Sequence, residues 1–470
     1  MVGGSQNRSG FEKLPDVDPA GAAVIVAARK SRQHKNVVAA KIGLAILTLS
    51  AVLAGLAALI LTKNSGSADL KPIATFAERG ARKMNADIKD EAGLARVAEA
   101  TEKFSRSLYS AMVKDVGAAD NLLVSPFSAA AVVAMAAAGA RGDTAQQMWA
   151  GLEIPDTEAA EAGWSQAIPA LRTNKDFTLE TANAAFVAEK YKILDEYKES
   201  LHQIFHSDVS PVDFGDSGVT SKRINSWVSD MTNKKIEKLV DAQEIGDDTA
   251  MVLVNAIYFK GDWVKKFDSK NTQKQEFSVS SGENVMADMM RQTKEFPFAT
   301  LDDIDSKMLE LPYEGERIVM QILLPNDKDS GLKSIEEKIG DADIAKIFEE
   351  KQFNRKVNIQ MPKFKLTHSA SLAEALKSLG MKNMFSAGVA DFSGMDGTRN
   401  LYVGFVKQEV AVEVNEEGSE AAAATGMGMM MRSMPAPPQE FIVDHPFIFY
   451  IRDKLTGMLL FQGRVANPTL

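Results

Sequence analysis

Apolar residues recur at strand spacing in two stretches of the chain and at helical spacing in a third. Phe177 to Val187 alternates apolar with polar residues, as a half-buried strand does, and Val252 to Phe259 is almost continuously apolar, which predicts a central strand buried on both faces. Further upstream, a repeat of three to four residues predicts an amphipathic helix. Its repeating positions are Leu94, Val97, Thr101, Phe104, Leu108 and Met112.

Small apolar residues fill the segment from Ala129 to Ala140, shortly after the helix-breaking pair Ser125-Pro126. A bilayer crossing requires about 20 apolar residues, so this shorter run predicts a buried core helix. Helices and strands follow one another without a repeating strand–helix–strand unit. The pattern therefore predicts an α+β fold.

Another apolar run lies near the N-terminus and is long enough to cross a membrane. Ile42 to Thr62 contains no charged residue, and at about 1.5 Å per helical residue it spans about 30 Å. More basic residues precede it than follow it, and the more basic flank stays in the cytoplasm. The sequence predicts a disordered cytoplasmic tail (1–41), a transmembrane signal-anchor helix (42–62), a linker (63–91) and a globular domain (92–470).

These features predict a single-pass membrane protein whose globular domain lies outside the cytoplasm. The alternative is a secreted protein, because Gly66-Ser67-Ala68 fits a signal-peptidase site and cleavage near Ala68 would release the domain. The sequon Asn7-Arg8-Ser9 lies on the predicted cytoplasmic side, so glycosylation gives no evidence for secretion.

The segment from Glu416 to Ser433 reads EEGSEAAAATGMGMMMRS, and its first half is almost uniformly small. Every second residue from Ser419 to Thr425 is small and uncharged, and in an extended strand these residues share one face, with Glu420 on the other. A segment that enters a packed β-sheet requires this pattern, because bulky or charged side chains would leave unpaired polar groups in a dry layer. The residues of the small face are Ser419, Ala421, Ala423 and Thr425.

Two other structures for this segment remain open on composition alone. Alanine is the strongest helix former, so SEAAAAT also fits a short helix, and GMGMMM also fits a flexible linker. The choice among a helix, a linker and an inserting strand depends on the rest of the chain.

From about Gly93 to Leu470 the sequence resembles the serpin family, on seven motifs in the family's order. The helix pair NLLVSPFSAAAVVAMAAAGARGDTAQQM (Asn121 to Met148) comes first, followed by INSWV and by MVLVNAIYFKGDWVKKFD (Met251 to Asp268). LELPYEG, MPKFKL and LKSLGMKNMF with ADFSGM come next, and DHPFIFYIRDKLTGMLLFQGRVANP closes the series. Within the third motif, the family's spacing is kept at Asn255, Tyr258, Phe259, Lys260, Gly261, Trp263 and Phe267.

The resemblance implies a serpin fold, with a large central β-sheet, further sheets, surrounding helices and a mobile reactive-centre loop. In this family a hinge glycine lies fourteen residues before the residue whose carbonyl is attacked. Gly418 therefore implies Arg432–Ser433 as the scissile bond, with Met431 as the alternative anchor if the loop register shifts by one. The implied loop hinge comprises Glu416, Glu417, Gly418, Ser419, Glu420, Ala421, Ala422, Ala423, Ala424 and Thr425.

The small hinge residues match the inhibitory members of the family, so the resemblance implies an inhibitor and not an enzyme. It implies a suicide substrate that forms a covalent complex with a trypsin-like serine protease, whose acidic primary pocket would bind Arg432. Insertion of the cut loop into the central sheet would trap the protease. Met431 as the anchor would favour chymotrypsin- or elastase-like targets. A non-inhibitory serpin, such as a carrier or a chaperone, is the alternative function.

Four polar residues match the shutter cluster that the family keeps beneath the opening of the sheet: Ser125, Ser128, Asn183 and Gln408. Their alternative role is ordinary helix capping and core hydrogen bonding. The family commonly has a histidine at the position of Gln408. Glutamine donates and accepts hydrogen bonds but does not titrate near about pH 6, which argues against a pH-triggered opening at this cluster.

Composition and short motifs argue against several other classes of function. The chain has no cysteine, which excludes disulfides and thiol chemistry, and its net charge of -9 argues against a nucleic-acid partner. His202 and His206 have the spacing of a metal pair on a helix but no third ligand, and no GxSxG motif of a serine hydrolase is present. The acidic segment Thr157 to Arg172 argues against heparin binding. We expect a monomer without metal or cofactor.

Overall fold

The computed structural model describes residues 93–417 and 437–470, except 156, 172–174, 280–281 and 341. All of them belong to one of two compact units of the chain, Ile88–Leu470. The predicted tail, membrane helix and linker (1–41, 42–62 and 63–91) lie outside the described residues, and their bounds stay predictions. Within the described part of the chain, no helix is long and apolar enough to cross a membrane.

The first helix, α1 (93–112), confirms the predicted amphipathic helix, because Val97, Phe104 and Leu108 are all 0% exposed. The other α-helices in the described residues are α2 (Pro126–Gly139), α3 (Gly142–Gly151), α4 (Thr157–Ala170), α5 (Asp195–Ser200), α6 (Ser217–Met231), α7 (Gly331–Ile339), α8 (Ile344–Lys351), α9 (Ala373–Ser378) and α10 (Ser393–Asp396). A π-helical turn, Leu201–Phe205, extends α5. Short 3-10 turns lie at Val113–Asp115, Ala242–Glu244, Ser269–Asn271, Asp302–Ile304 and Asn383–Phe385.

The strands of the described residues form two sheets. They are β1 (Leu122–Val124), β2 (Phe177–Ala188), β3 (Asp208–Val212), β4 (Met251–Gly261), β5 (Gln273–Ser278), β6 (Asn284–Leu301), β7 (Ser306–Pro312), β8 (Ile318–Pro325), β9 (Phe353–Pro362), β10 (Phe364–Ser371), β11 (Val403–Val414), β12 (Gln439–Ile442), β13 (Phe447–Asp453) and β14 (Leu459–Val465).

The five-stranded sheet, which we call the central sheet, has the order β10-β11-β4-β2-β3. β10 pairs with β11 and β2 pairs with β4 in the antiparallel sense. Between them, β4 and β11 lie side by side in parallel, from Val403 opposite Met251 to Val412 opposite Phe259. The middle of the central sheet is therefore a direct parallel pair.

The second sheet has nine strands in the order β1-β14-β13-β8-β7-β6-β9-β12, with β5 paired to β6. The resemblance implied further sheets beside the central one, whereas the described residues contain this single one. The reason is β6, which is 18 residues long and pairs with β5, β7 and β9. A strand of that length joins two smaller groups of strands into one sheet.

Both faces of β4 are buried, as predicted from its continuous apolar run. Val252, Val254 and Ala256 belong to a smaller core that α6 covers with Ile224 and Val228. The apolar residues that alternate with them belong to the main core, where α2 packs against the central sheet. The two cores place the central sheet between helices on opposite sides.

Ser125 and Pro126 begin α2. The Ser125 side chain accepts a hydrogen bond from the backbone N–H of Ser128 (3.2 Å), and proline occupies the first helical position, where its missing N–H costs nothing. Every residue of α2 except Ala138 is buried, which confirms the predicted core helix. This cap also places the two serines beneath the central sheet.

We expect Val254→Ala to destabilise the domain by about 2 kcal/mol, because the loss of buried methyl groups leaves a cavity between β4 and α6. Val254 is 0% exposed. The measurement is the midpoint of urea-induced unfolding, followed by tryptophan fluorescence. Val219→Ala, on α6 but 60% exposed, is the control and leaves the midpoint unchanged. Equal midpoints for the two variants would contradict burial of this face of β4.

Candidate functional site

Trp263 forms hydrogen bonds to the residues that directly follow β11. Its indole Nε1–H donates to the carbonyl of Asn415 (2.8 Å), and its backbone N–H donates to the carbonyl of Glu417 (3.4 Å). The Trp263 ring stacks on Tyr313, with 4.2 Å between the ring centroids. The first residues after β11 are therefore held beside the end of β4.

The two predicted hinge residues that the structure describes, Glu416 and Glu417, both form ion pairs. Glu416 pairs with Lys363 (2.8 Å) and accepts a hydrogen bond from Thr272 Oγ1 (2.7 Å). Glu417 pairs with Lys260 (2.9 Å) at the end of β4. Lys363 directly precedes β10, so the ion pairs connect the start of the loop to the strands on both sides of β11.

These contacts also set the protonation of the hinge glutamates. Burial alone would raise the pKa of Glu416, but hydrogen bonds from Lys363 and Thr272 outweigh burial and lower that pKa below its usual value. The hydrogen bond from Lys260 likewise lowers the pKa of Glu417. Both carboxylates therefore remain ionised at neutral pH, and the ion pairs weaken only as the pH falls through these lowered pKa values.

The structure brings the four predicted shutter residues together beneath the middle of the central sheet. The Gln408 Oε1 accepts from the Ser125 backbone N–H, and the Gln408 Nε2 donates to the Ser125 carbonyl, both at 3.1 Å. The Ser128 hydroxyl donates to Asn183 Oδ1 (3.2 Å). Ser125, Ser128 and Gln408 are at most 1% exposed. Asn183 is half-buried, so the cluster is a hydrogen-bonded unit whose other three members are dry.

A fifth residue, Asn255 of β4, joins this cluster, although it is absent from the predicted set. Its Nδ2 donates to Ser128 Oγ and Asn183 Oδ1, and its Oδ1 accepts from Gln408 Nε2 (2.5 Å). In the strand register, Asn255 lies opposite both Asn183 and Gln408, so three amides form one row across β2, β4 and β11. A lone asparagine in a buried apolar strand requires partners, and this signal was present in the sequence.

The amide row crosses the boundary between β4 and β11. A strand that entered between them would separate Gln408 from Asn255 and break their hydrogen bond. The serine hydroxyls of the cluster are occupied as donors, Ser125 to the Leu460 carbonyl (2.7 Å) and Ser128 to Asn183. The cluster thus holds two strands together and contains no base that could activate a nucleophile.

The remaining predicted site residues fall within 418–436, outside the described residues. The described chain stops at Glu417 and resumes at residue 437, directly before β12. The predicted residues in question are Gly418, Ser419, Glu420, Ala421, Ala422, Ala423, Ala424, Thr425, Met431, Arg432 and Ser433.

The helix that was expected to carry both His202 and His206 ends before the second of them. The π-helical turn ends at Phe205, and His206 follows it with a left-handed φ of 49°, so the two side chains do not share a helix face. Among the residues that the structure describes, no group of three or more His, Cys, Asp or Glu side chains is placed to hold a metal ion.

Comparisons with known proteins agree with this fold. The family Serpin (serine protease inhibitor) matches residues 99–468. Leukocyte elastase inhibitor of Bos taurus is 37% identical over 378 residues, which cover 79% of this chain and 100% of the relative. Leukocyte elastase inhibitor A of Mus musculus is 39% identical, over 74% of this chain and 93% of the relative. The structure of Serpin48 from the insect Tenebrio molitor matches with a TM-score of 0.70 and 36% identity, over 79% of this chain and 98% of that one.

These relatives overturn the predicted localisation as a single-pass membrane protein with an extracytoplasmic domain, and with it the alternative of secretion after cleavage near Ala68. The bovine inhibitor is matched over its whole length by 79% of this chain, and the family match begins at residue 99. The relatives therefore carry the domain without a counterpart of the segment 42–62. The predicted localisation rested on hydropathy, which reports whether a segment is able to span a bilayer and not whether it does so.

The family match contains every element of the candidate site. Trp263, the ion-paired hinge glutamates and the amide row all lie within residues 99–468, which are well over half of the chain. The family match, the relatives above 30% identity and the two-sheet fold lead to one conclusion: this chain belongs to the serpin family.

Proposed function

We propose that this chain inhibits a trypsin-like serine protease by acting as its suicide substrate, with Arg432–Ser433 as the bond that is attacked. The family description supports protease inhibition, and the bovine and mouse relatives are named as elastase inhibitors. The assignment of Arg432 rests on its distance from the hinge glycine Gly418. The small residues after that glycine support an inhibitory member over a carrier or a chaperone.

The direct parallel pairing of β4 with β11 is the observation that carries the proposal. A segment that leaves the end of β11 and turns back must run antiparallel to β11. Because β4 is parallel to β11, the same segment would be antiparallel to β4 as well. One strand could therefore replace a single parallel pairing with two antiparallel pairings, which are slightly more stable per residue.

The chemistry begins as ordinary proteolysis. The serine hydroxyl of the protease attacks the carbonyl carbon of Arg432, the peptide bond breaks, and the amine of Ser433 leaves with a proton from the protease's histidine. The protease is then joined to Arg432 through an ester. Residues 418–431, once freed, enter between β4 and β11 and carry the tethered protease about 45 Å, at about 3.3 Å per residue. Distortion of the protease stops hydrolysis of the ester.

Two sets of contacts oppose premature insertion. The ion pairs of Glu416 and Glu417 hold the start of the loop at the end of the central sheet. The Gln408–Asn255 hydrogen bond holds β4 and β11 together in the middle of that sheet. Both sets have to be broken before a new strand can pair along the whole length of β4. Cleavage releases the far end of the loop and so makes insertion possible.

The target class follows from Arg432. A guanidinium forms a bidentate, charge-assisted pair with the buried carboxylate in the primary pocket of a trypsin-like protease. The methionines before Arg432 are flexible and could fill an apolar pocket, so the elastase-like targets named for the relatives remain a second specificity.

We expect the unmodified protein to form a covalent complex with trypsin, seen as a band of summed mass in denaturing electrophoresis. Arg432→Met should slow complex formation with trypsin by about 100-fold or more, because the carboxylate in the primary pocket loses its partner. Met431→Ala is the control and should leave the rate unchanged. Simple cleavage without a stable band would contradict the proposal, and mass spectrometry of the cut loop identifies the scissile bond.

Ser419→Glu should convert the inhibitor into a substrate. In the inserted strand, Ser419 lies on the buried face, and an unpaired carboxylate there costs several kcal/mol. We expect trypsin to cut the variant at the normal rate while the yield of covalent complex falls by about tenfold or more. Ala422→Glu, on the opposite face of the same strand, is the control. Equal yields from the two variants would exclude insertion in this register.

Glu416→Gln should destabilise the uncut protein by about 1 kcal/mol at neutral pH, because it removes the ion pair with Lys363. Since the folded-state pKa of Glu416 is lowered, its contribution is complete above the unfolded-state pKa and is lost as the pH falls through the folded-state value. The difference in urea midpoint from the unmodified protein should therefore shrink toward about pH 4. Glu237→Gln, an exposed glutamate, is the control, and a pH-independent difference for Glu416→Gln would contradict the ion pair.

A further inference from the structure

Three cations lie close together at the border between β6, β9 and the segment after Trp263. The Lys265 ammonium lies 5.0 Å from the centroid of the Phe296 ring. Arg355 lies opposite Phe296 in the pairing of β6 with β9, and Lys294 is two residues from Phe296 on the same face of β6. Phe296 itself is 1% exposed. We refer to Lys265, Lys294 and Arg355 as the cationic face.

The cationic face lacks a neutralising carboxylate among the described residues. The Lys265 ammonium donates to the carbonyl of Glu295, and the Lys294 ammonium donates to the carbonyl of Lys266 (3.2 Å). Glu295 alternates to the opposite face of β6 from Lys294. Burial, followed by the charge of Lys265, lowers the pKa of Lys294, as expected for a cation whose nearest charged neighbour is another cation.

The cationic face borders the place where the loop rejoins the second sheet. Val357 of β9 lies opposite Lys294 on one side and opposite Gln439 of β12 on the other. Ser433 precedes Gln439 by six residues, which is about 20 Å or less along an extended chain. A protein–protein interface of standard size buries about 800 Å² on each partner, so a protease bound at Arg432–Ser433 reaches beyond the loop onto this face.

An exposed aromatic residue adjoins the cations. Phe353, at the start of β9, is 62% exposed, and the Arg355 guanidinium lies 5.7 Å from its ring centroid. Aromatic and arginine side chains are enriched among the anchors of protein–protein interfaces. An unneutralised cation cluster beside such an anchor is complementary to an acidic protein surface.

We propose that Lys265, Lys294 and Arg355, together with Phe353, form an accessory docking surface for an acidic patch on the protease that attacks Arg432–Ser433. This inference rests on the proposed function. In a chain of net charge -9, a local positive face determines the orientation in which a negatively charged protease approaches. The surface thereby selects among proteases that share the same primary pocket.

The test uses two trypsins with the same primary specificity, one with an anionic and one with a cationic surface. We expect the triple variant Lys265→Glu/Lys294→Glu/Arg355→Glu to form the covalent complex with anionic trypsin about tenfold more slowly at low salt. With cationic trypsin the rate should be unchanged or higher. The matched control, Lys222→Glu/Arg223→Glu/Lys234→Glu, changes the net charge equally at exposed positions on and after α6 and should retain the rate with anionic trypsin.

Two outcomes overturn the docking surface: an unchanged rate of the triple variant with anionic trypsin, or equal losses with both trypsins. If the triple variant does not fold, the salt dependence of the unmodified protein decides. Its rate with anionic trypsin should fall steeply as the salt concentration rises toward about 0.5 M, and a flat series overturns the proposal. A failure of the unmodified protein to form a covalent complex with either trypsin overturns the proposed function instead.

Discussion

The parallel contact between β4 and β11 is the constraint on which the rest of this structure depends. These strands are neighbours in the sheet but far apart in the chain, and both are buried at their centres. The central sheet has a second parallel pair, β2 with β3, but it lies at the edge of the sheet, whereas the β4–β11 boundary adjoins the end of β11, from which the loop leaves. The ion pairs of Glu416 and Glu417 lie at the end of this boundary, and the amide row crosses its middle.

The two sets of contacts differ in their physics. At the end of the sheet, Glu416 and Glu417 contribute ionic pairs that are partly open to solvent and respond to pH and salt. In the middle, Gln408 and Asn255 contribute neutral hydrogen bonds in a dry layer, which respond to neither. The boundary between β4 and β11 is therefore closed by one set of contacts that responds to pH and salt and by another set that does not.

The fold was largely predictable from local patterns, while the site depended on contacts between distant strands. The periodicity around Phe104 and the apolar run of β4 predicted a helix and a buried strand, because a buried face requires apolar residues at the spacing of its element. The four shutter residues came from family resemblance. The apolar run around Asn255 indicated that its amide needs hydrogen-bond partners, but the identity of those partners depends on a strand register that local sequence does not encode. The joining of β5, β7 and β9 along β6 into one sheet, and the ion pairs of the hinge, required the three-dimensional pairing for the same reason.

The amide row has a consequence for how the chain finds its native pairing. Asn255 lies 72 positions after Asn183 and 153 positions before Gln408, and each has its partners only when β2, β4 and β11 are aligned as observed. A slip of β11 by two residues keeps the apolar faces inward but places Val406 or Val410 opposite Asn255, so that the amides of Asn255 and Gln408 lose their hydrogen bond. The row therefore favours the native strand register during folding. A sheet in another register could bury the same apolar faces, but it would leave these amides without hydrogen-bond partners.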